Sequence, residues 1–390
     1  MRAKVRWFSP QGRIVIIMDA LDPNLGSWME RTEGRETRLV EELGLRYIAP
    51  DELGIDHVYV RRGLIYACRG YEELKEAISS GDYYALTGIM PSSDRIHLGT
   101  MAVVEAMKCF SSRAKLTILL VADLESLATR GVSLEEAREI ALNNHIPTYL
   151  ALGIDPNRCV FYFQSENPDI HKIAAEAARE ITLQEFRAVY GALDPARIVS
   201  SLIQIGDILF PQLVRPIIGI IPVGLDQDPH IRLCRDYVRR SVYFQFKQVV
   251  GVYLRDVPSL KGEGKMSKSD PGSAIFIPED DAPLLRRKIY KAFSGGANTL
   301  EEQRQRGADL ERDVPFKILR FILKDDSELQ RIASDYSSGR MISGEIKEYL
   351  YQYLLGMMEE LKAKIEHYRE VVRRREITII SSAKEIAHLL

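Results

Sequence analysis

KLTILLVAD, residues 115–123, is a run of apolar side chains closed by an aspartate. A strand with one wet face alternates polar and apolar residues. One that stays apolar along its length is covered on both faces, as in parallel sheets flanked by helices. The neighbouring segments repeat the theme. YYALTG (83–88) is a short apolar strand ending in Gly88, CVFYFQS (159–165) a third, and IIGIIPVG (217–224) a fourth. Between them lie helical patterns: HLGTMAVVEAMKCF (97–110), a segment opened by a capping box at Ser133 to Glu136 and running toward Gly153, PDIHKIAAEAAREI (168–181), and DPHIRLCRDYVRR (228–240). Strands alternating with helices predict a doubly wound parallel α/β sheet, Rossmann-like, over residues 81–279.

Ahead of it, residues 1–80 read as an extension carrying β-hairpins. KVRWFS and RIVIIM turn around Pro10-Gln11-Gly12, RETRLVEELG (35–44) is helix-like, and HVYVRRGLIYACRG (57–70) suggests a strand pair turning at Arg62-Gly63. Behind it, residues 280–390 predict an all-helical domain, with a second capping box at Thr299 to Glu302. In the long final pattern, Ile346, Leu350, Tyr353, Leu354, Met357, Leu361 and Ile365 share one helical face.

At 390 residues the chain exceeds the usual reach of one core, so several domains are expected. Lys+Arg total 53 against Asp+Glu 55, a formal charge of -2, so an RNA partner would have to be met by local patches. No apolar run is long enough to span a bilayer, and the first residues lack the apolar core of a secretory signal. The 4 cysteines (Cys68, Cys109, Cys159, Cys234) show no metal-binding spacing and read as reduced thiols, which suggests the cytoplasm.

Three stretches carry chemistry. TGIMPSSDRIHLGT (87–100) runs from a strand end through a turn into a helix, where unpaired N–H groups and the helix dipole suit phosphate oxygens. His97 adds a donor that can carry charge, and Gly99 lets a base or ribose approach the backbone. The plain alternative is a helix cap with a solvent-facing histidine. PVGLDQDPHIRLCRD (222–236) lies at a strand's carboxyl end, where ligands bind in open α/β sheets; Asp226 suits ribose hydroxyls and Gln227 a polar substrate group. Here the alternative is an aspartate capping the next helix. GEGKMSKSDP (262–271) holds Lys265 and Lys268 on a breaker-rich segment, which suits a polyanion that arrives and leaves or, failing that, a solvated linker.

In the order HxGT, GxDQ, KMSKS, these stretches resemble the motifs of class I aminoacyl-tRNA synthetases. GLDQDP, KMSKSDPGSAIF, KAFSGG, EEQRQRGADLERDV and DYSSGRMISGEIKEYL are together similar to the tryptophanyl-tRNA synthetase family, in its archaeal and eukaryotic branch. The likeness runs from about residue 36, through RRGLIYACRG (61–70), to about residue 350. The resemblance implies ATP-dependent formation of an aminoacyl adenylate from L-tryptophan and transfer to the 3′ end of tRNA(Trp). It also implies a homodimer and a helical domain that reads the anticodon. Catalysis would be in-line positioning with stabilisation of phosphate charge. By this resemblance His97 and the N–H groups of Gly99 and Thr100 bind the phosphate chain, while Lys265 and Lys268 clamp the leaving pyrophosphate, with Ser267 and Ser269 donating to it. Gly88, Ser92 and Gly224 lie against the nucleotide, the Met266 backbone meets adenine, Asp226 meets the ribose, and Mg²⁺ bridges phosphates with few protein ligands.

Departures from the family concern the substrate. The HIGH-like element ends in Thr100, which keeps a hydroxyl donor without charge. Leu86 and Leu120 stand where the archaeal and eukaryotic enzymes carry the tyrosine and glutamine that hold the indole N–H. QIGDIL (204–209) instead places Asp207 where bacterial enzymes carry the aspartate that accepts from it. A mixed pocket follows as the expectation: Leu86 beside the ring, Asp207 on the ring nitrogen, and Glu125, Gln204 and Gln227 on the head group. A buried carboxylate needs a donor, and the indole N–H would supply one. Competing expectations are a tyrosyl enzyme, which also uses an aspartate in a similar segment, and a synthetase-like RNA-binding module without activity.

Overall fold

The computed structural model describes residues 40–50, 52–191, 194–297 and 299–390. The expected hairpin at Pro10-Gln11-Gly12 lies outside them, as does most of RETRLVEELG. Among the described residues eight strands form one sheet: β1 (Arg46–Tyr47), β2 (Ile65–Arg69), β3 (Tyr83–Ile89), β5 (Leu116–Val121), β6 (Cys159–Phe163), β7 (Ile218–Gly224), β8 (Val250–Leu254) and β10 (Thr378–Ile379). Their order is β1-β2-β8-β7-β3-β5-β6-β10, parallel from β8 to β10 and antiparallel at the β1-β2 edge. Two further strands, β4 (Ile96–His97) and β9 (Phe276–Ile277), pair antiparallel outside this sheet.

The central apolar strand behaves as its composition dictates. Every residue of β5 is buried, and alternate side chains feed two cores. Tyr83, Ala85, Leu119 and Val121 face helices Leu98–Ser111 and Ile146–Ala151, while Tyr84, Leu86, Ile118 and Leu120 face the side of helices Pro168–Glu180 and Pro195–Leu209. From β3 the chain builds β5 and β6 to one side, then returns for β7 and β8 on the other. Loops leaving β3 and its neighbours therefore diverge, and a crevice opens at their carboxyl ends.

One expectation about the flanks is corrected. HVYV is not a strand: Val58–Arg61 forms one helical turn because the His57 side chain accepts from the Tyr59 N–H at 3.2 Å. Gly63, at φ 59, then turns the chain into β2, whose partner is β8, so residues 46–69 extend the catalytic sheet itself. The region after residue 280 is helical, as expected, up to a short closing strand. The long helix Ser343–Arg373 stops in a reversal with Arg375 at φ 58; Arg375 N–H donates to Val372 and Glu376 N–H to Val371 at 3.0 Å each. The chain then returns to pair as β10 with β6, and Ile380, Ala383 and Ile386 enter the second core. Along the long helix Ile346, Leu350, Leu354, Leu361 and Ile365 are buried as expected; Tyr351 and Met358 join them, with Tyr353 and Met357 half-buried at the border. Among the described residues no helix is long and apolar enough to cross a membrane.

A close approach between helices fixes one wall of the crevice. At Gly206, in Pro195–Leu209, a Cβ would stand 2.3 Å from the Ile170 carbonyl oxygen of the neighbouring helix. Gly206→Ala is expected to cost about 1–3 kcal/mol by forcing those backbones apart. Gly356→Ala, in the long helix where a Cβ meets nothing within 4 Å, should instead gain roughly 0.5–1 kcal/mol. Urea midpoints of the two variants check the opposite signs.

Candidate active site

A cleft of about 700 Å³ opens at the carboxyl ends of β3, β5, β7 and β8. All residues singled out for phosphate, nucleotide and amino-acid contact line it: Leu86, Gly88, Ser92, His97, Gly99, Thr100, Glu125, Gln204, Asp207, Gly224, Asp226, Gln227, Lys265, Met266, Ser267, Lys268 and Ser269. Their local geometry differs from expectation in several ways.

His97 caps its own helix. Its Nδ1 accepts from the Thr100 N–H at 3.3 Å, so the proton of the neutral ring sits on Nε2. Burial, followed by the charge of Lys268, lowers its pKa to about 4, with a smaller lowering from Lys265. It is thus held as a neutral donor, its capacity for charge suppressed by burial. The cap also uses the Thr100 N–H that was assigned to phosphate. Gly99 makes room for this ring: a Cβ there would lie 2.8 Å from His97 Cε1, so the imidazole, ahead of any ligand, demands the glycine.

The lysine loop is ordered. Gly262 and Gly264, at φ 91 and 71, turn it, and Ser259 N–H reaches the Gly264 carbonyl at 3.0 Å. Met266 is 4% exposed and gives its N–H to Val257 at 3.1 Å, so an adenine contact there falls to its carbonyl. Ser267 and Ser269 hydroxyls pair at 2.8 Å. Lys265 is exposed and bonded to Asp226 at 3.0 Å, with Asp256 at 3.9 Å. Lys268 is half-buried, and burial lowers its pKa to about 8 against the attraction of Asp94 and Glu279. β4 and β9 join the first and third motif segments: His97 pairs with Phe276, and Leu98 N–H donates to Ile275 at 3.1 Å. In the second segment neither aspartate caps the helix through its side chain. Asp226 faces the cleft, while Asp228 is buried against Arg69 at 2.7 Å and Tyr253.

At the deep end, Asp207 is 1% exposed. Tyr162 donates to its Oδ1 at 2.8 Å and Gln164 to its Oδ2 at 2.5 Å. Burial lifts its pKa to about 7, against the pull of Gln164 and Tyr162. The expectation that Asp207 lacked a donor is therefore wrong, since two neighbours on β6 and its end supply one each. Tyr162 and Gln164 are two apart in CVFYFQ, on one face at the ligand end of a strand; that spacing could have found them. Gln164 also accepts from the Glu125 N–H at 3.3 Å, and burial raises the pKa of the half-buried Glu125. Asp256, His145 and His230 line the cleft as well, and His230 is paired with the Tyr190 hydroxyl at 2.8 Å.

A family profile described as tRNA synthetases class I (W and Y) matches residues 79–358. The tryptophan–tRNA ligase of Methanocaldococcus jannaschii is 32% identical over 345 residues, covering 86% of this chain and 93% of that protein. The chain belongs to the tryptophanyl-tRNA synthetase family. The cytoplasmic tryptophan–tRNA ligase of Arabidopsis thaliana is 33% identical over 319 residues, 78% of each chain. The Aeropyrum pernix tryptophanyl-tRNA synthetase structure superposes with a TM-score of 0.83 at 30% identity, over 91% of this chain and 98% of that one. As in class I synthetases generally, the fold is a mostly parallel central sheet with helices, and ATP is the substrate that drives ligation. The deep end of this cleft holds a polar knot of Asp207, Tyr162 and Gln164, with Leu86 and Leu120 among the lining side chains.

Asp207 holds its proton more tightly in the folded chain than in the unfolded one. The stability from that proton is complete below about pH 4, the ordinary carboxyl range, and is lost as pH rises through about 7. Wild-type stability minus that of Asp207→Asn should therefore fall between pH 4 and 7, with a slope approaching about 1.4 kcal/mol per pH unit. Urea unfolding across that range measures it, and a flat difference would contradict the burial argument.

Proposed function

We propose that the protein activates L-tryptophan with MgATP and transfers the acyl group to the 3′-terminal ribose of tRNA(Trp), in the roles set out below. One observation carries this reading: His97, Asp226 and Lys265 meet in one cleft at the switch point of the sheet. In the first step the tryptophan carboxylate oxygen attacks the α-phosphorus, the bond to the bridging oxygen breaks, and pyrophosphate leaves. In the second, a ribose hydroxyl of the tRNA attacks the acyl carbon and AMP departs.

His97 would donate from Nε2 to the phosphate chain, aided by the Gly99 N–H and the Thr100 hydroxyl. Asp226 accepts from the ribose, and the lysine it held, Lys265, passes to the pyrophosphate. Lys268, whose pKa burial depresses, would become fully charged beside a phosphate. Ser92, Ser267 and Ser269 donate to phosphate oxygens, while Gly88 and Gly224 let the nucleotide lie against the strand ends. Mg²⁺ would enter on the triphosphate as part of the substrate, with few protein ligands. Glu125, Gln204 and Gln227 would hold the amino-acid head group. Asp207, already doubly bonded, has lone pairs left for the indole N–H beside Leu86.

The helical region after residue 280 would read the anticodon. A homodimer through the catalytic domain is supported by Leu183, Val242 and Tyr243, exposed at 60%, 76% and 68% on neighbouring elements tied by Arg240–Glu185 and Arg179–Tyr243 contacts. All four cysteines are buried and unpaired, in keeping with the reducing cytoplasm. Tyrosine is the competing substrate, because tyrosyl enzymes also place an aspartate in a segment like Gln204 to Asp207. Leu86 on the leading strand and the similarity to tryptophan ligases favour tryptophan.

Tryptophan-dependent exchange of pyrophosphate into ATP tests the reading. Lys265→Ala and Lys268→Ala should each lower kcat by about 100-fold or more, as for loss of a phosphate clamp. Asp207→Ala should raise the KM for tryptophan or erase the preference over tyrosine. Exchange with tyrosine alone would select the tyrosyl enzyme, and silence with both the inactive module.

A further inference from the structure

Between helices Leu134–Ile140 and Ile146–Ala151 the chain makes one π turn, Ala141–His145. Such turns carry an extra residue and redirect one side chain. The local chemistry explains this one. Pro147 has no N–H to give the Asn143 carbonyl four residues earlier. Arg369, from the long C-terminal helix, supplies the missing donor: its Nε reaches Asn143 O at 2.8 Å and its Nη2 reaches Asn144 Oδ1 at 3.1 Å. Thr148 closes the turn on the Asn144 carbonyl at 2.6 Å.

The last residue of this turn is His145. It is 1% exposed and lines the same cleft as Ser92, Ser93 and Lys268. Neither ring nitrogen meets strict hydrogen-bond geometry among the described residues, although the Ser93 main chain lies near enough to raise its pKa. Buried imidazoles that serve only packing are normally bonded, because one nitrogen must carry a proton and the other a lone pair. A ring left unbonded beside a lysine on a cleft wall is missing a ligand atom, and the lysine indicates an anionic one.

We propose that His145 is a second imidazole contact for the nucleotide: its N–H donates to a phosphate oxygen beside Lys268, and Arg369 positions it through the π turn. This rests on the ATP-dependent reading above. Burial, with a contribution from Lys268, lowers the pKa of His145 to about 3, so it acts as a neutral donor throughout the working range. No bond to it forms or breaks; it orients the triphosphate for attack.

The test is the exchange assay on His145→Phe, which keeps a ring and removes both nitrogens, alongside His145→Gln, which restores an N–H donor. The expected result is a loss of about tenfold or more in kcat/KM for ATP in the phenylalanine variant, with the KM for tryptophan within about twofold. The glutamine variant should recover part of it, and Arg369→Ala should show a smaller loss of the same kind. Wild-type kcat/KM for ATP in His145→Phe, or equal losses toward both substrates without rescue by glutamine, would overturn the assignment. Should the wild type show no exchange, the activity reading fails on its own. Titration with a non-hydrolysable ATP analogue then decides His145: tenfold weaker binding in His145→Phe supports the contact, and unchanged binding refutes it.

Discussion

The two-residue pairing of β4 with β9 is the constraint on which the site depends. Residues Ile96–His97 and Phe276–Ile277 are far apart in sequence, and Ile96, Phe276 and Ile277 are buried together in the first core. Pairing joins the loop that leaves the central strand to the chain that follows the lysine loop. The ring of Phe276 meets His97 edge-on at 6.2 Å, and Arg95 lies over it at 4.5 Å. A shift in this register would move His97 and the lysines together, so the relative positions of donor and clamp are properties of one small structural unit. The glycines of the loop serve that unit by allowing a tight turn ahead of it.

Electrostatics in the cleft follow from the same closeness. Three cationic or potentially cationic groups stand together, and the fold deals with each differently. Lys265 borrows the carboxylates of Asp226 and Asp256. His97 stays neutral by capping a helix through Nδ1, and Lys268 yields part of its affinity for a proton to burial. The arrangement avoids the cost of unpaired buried charge while keeping every donor available to an incoming polyanion. A nucleotide would then exchange partners more than create charges, since its ribose takes the carboxylate that its phosphates deprive of a lysine.

Much of this was legible in the sequence, for identifiable reasons. Doubly covered strands announce themselves as continuous apolar runs, so β3, β5, β6 and β7 were placed within a residue or two, and their carboxyl ends located the cleft. What failed were features decided by single side-chain hydrogen bonds. The His57 cap turned an apparent strand into a helical turn, and the Tyr162 and Gln164 bonds satisfied an aspartate that burial alone made appear unpaired. The return of the chain to β6 after Arg375 gave no periodic signal, because two strand residues and a short apolar trio are too little pattern.

That return changes how the helical region must be regarded. Its last helix buries Ile346 through Val372 against the core that contains Leu119 and Val121 of β5, and its terminal segment completes the far edge of the sheet. Arg69, Arg215 and Arg369 each bridge segments distant in sequence: Arg69 to Asp228, Arg215 to Asp82 and the Leu390 carbonyl, Arg369 to the turn carrying His145. Arg369 gives the long helix a hydrogen-bonded route to the cleft wall, through Asn143 and Asn144. Under the proposed function, with tRNA held by that helical region, such a contact would tie occupancy of one end to geometry at the other. The coupling element would then be a proline that cannot donate and an arginine that donates in its place.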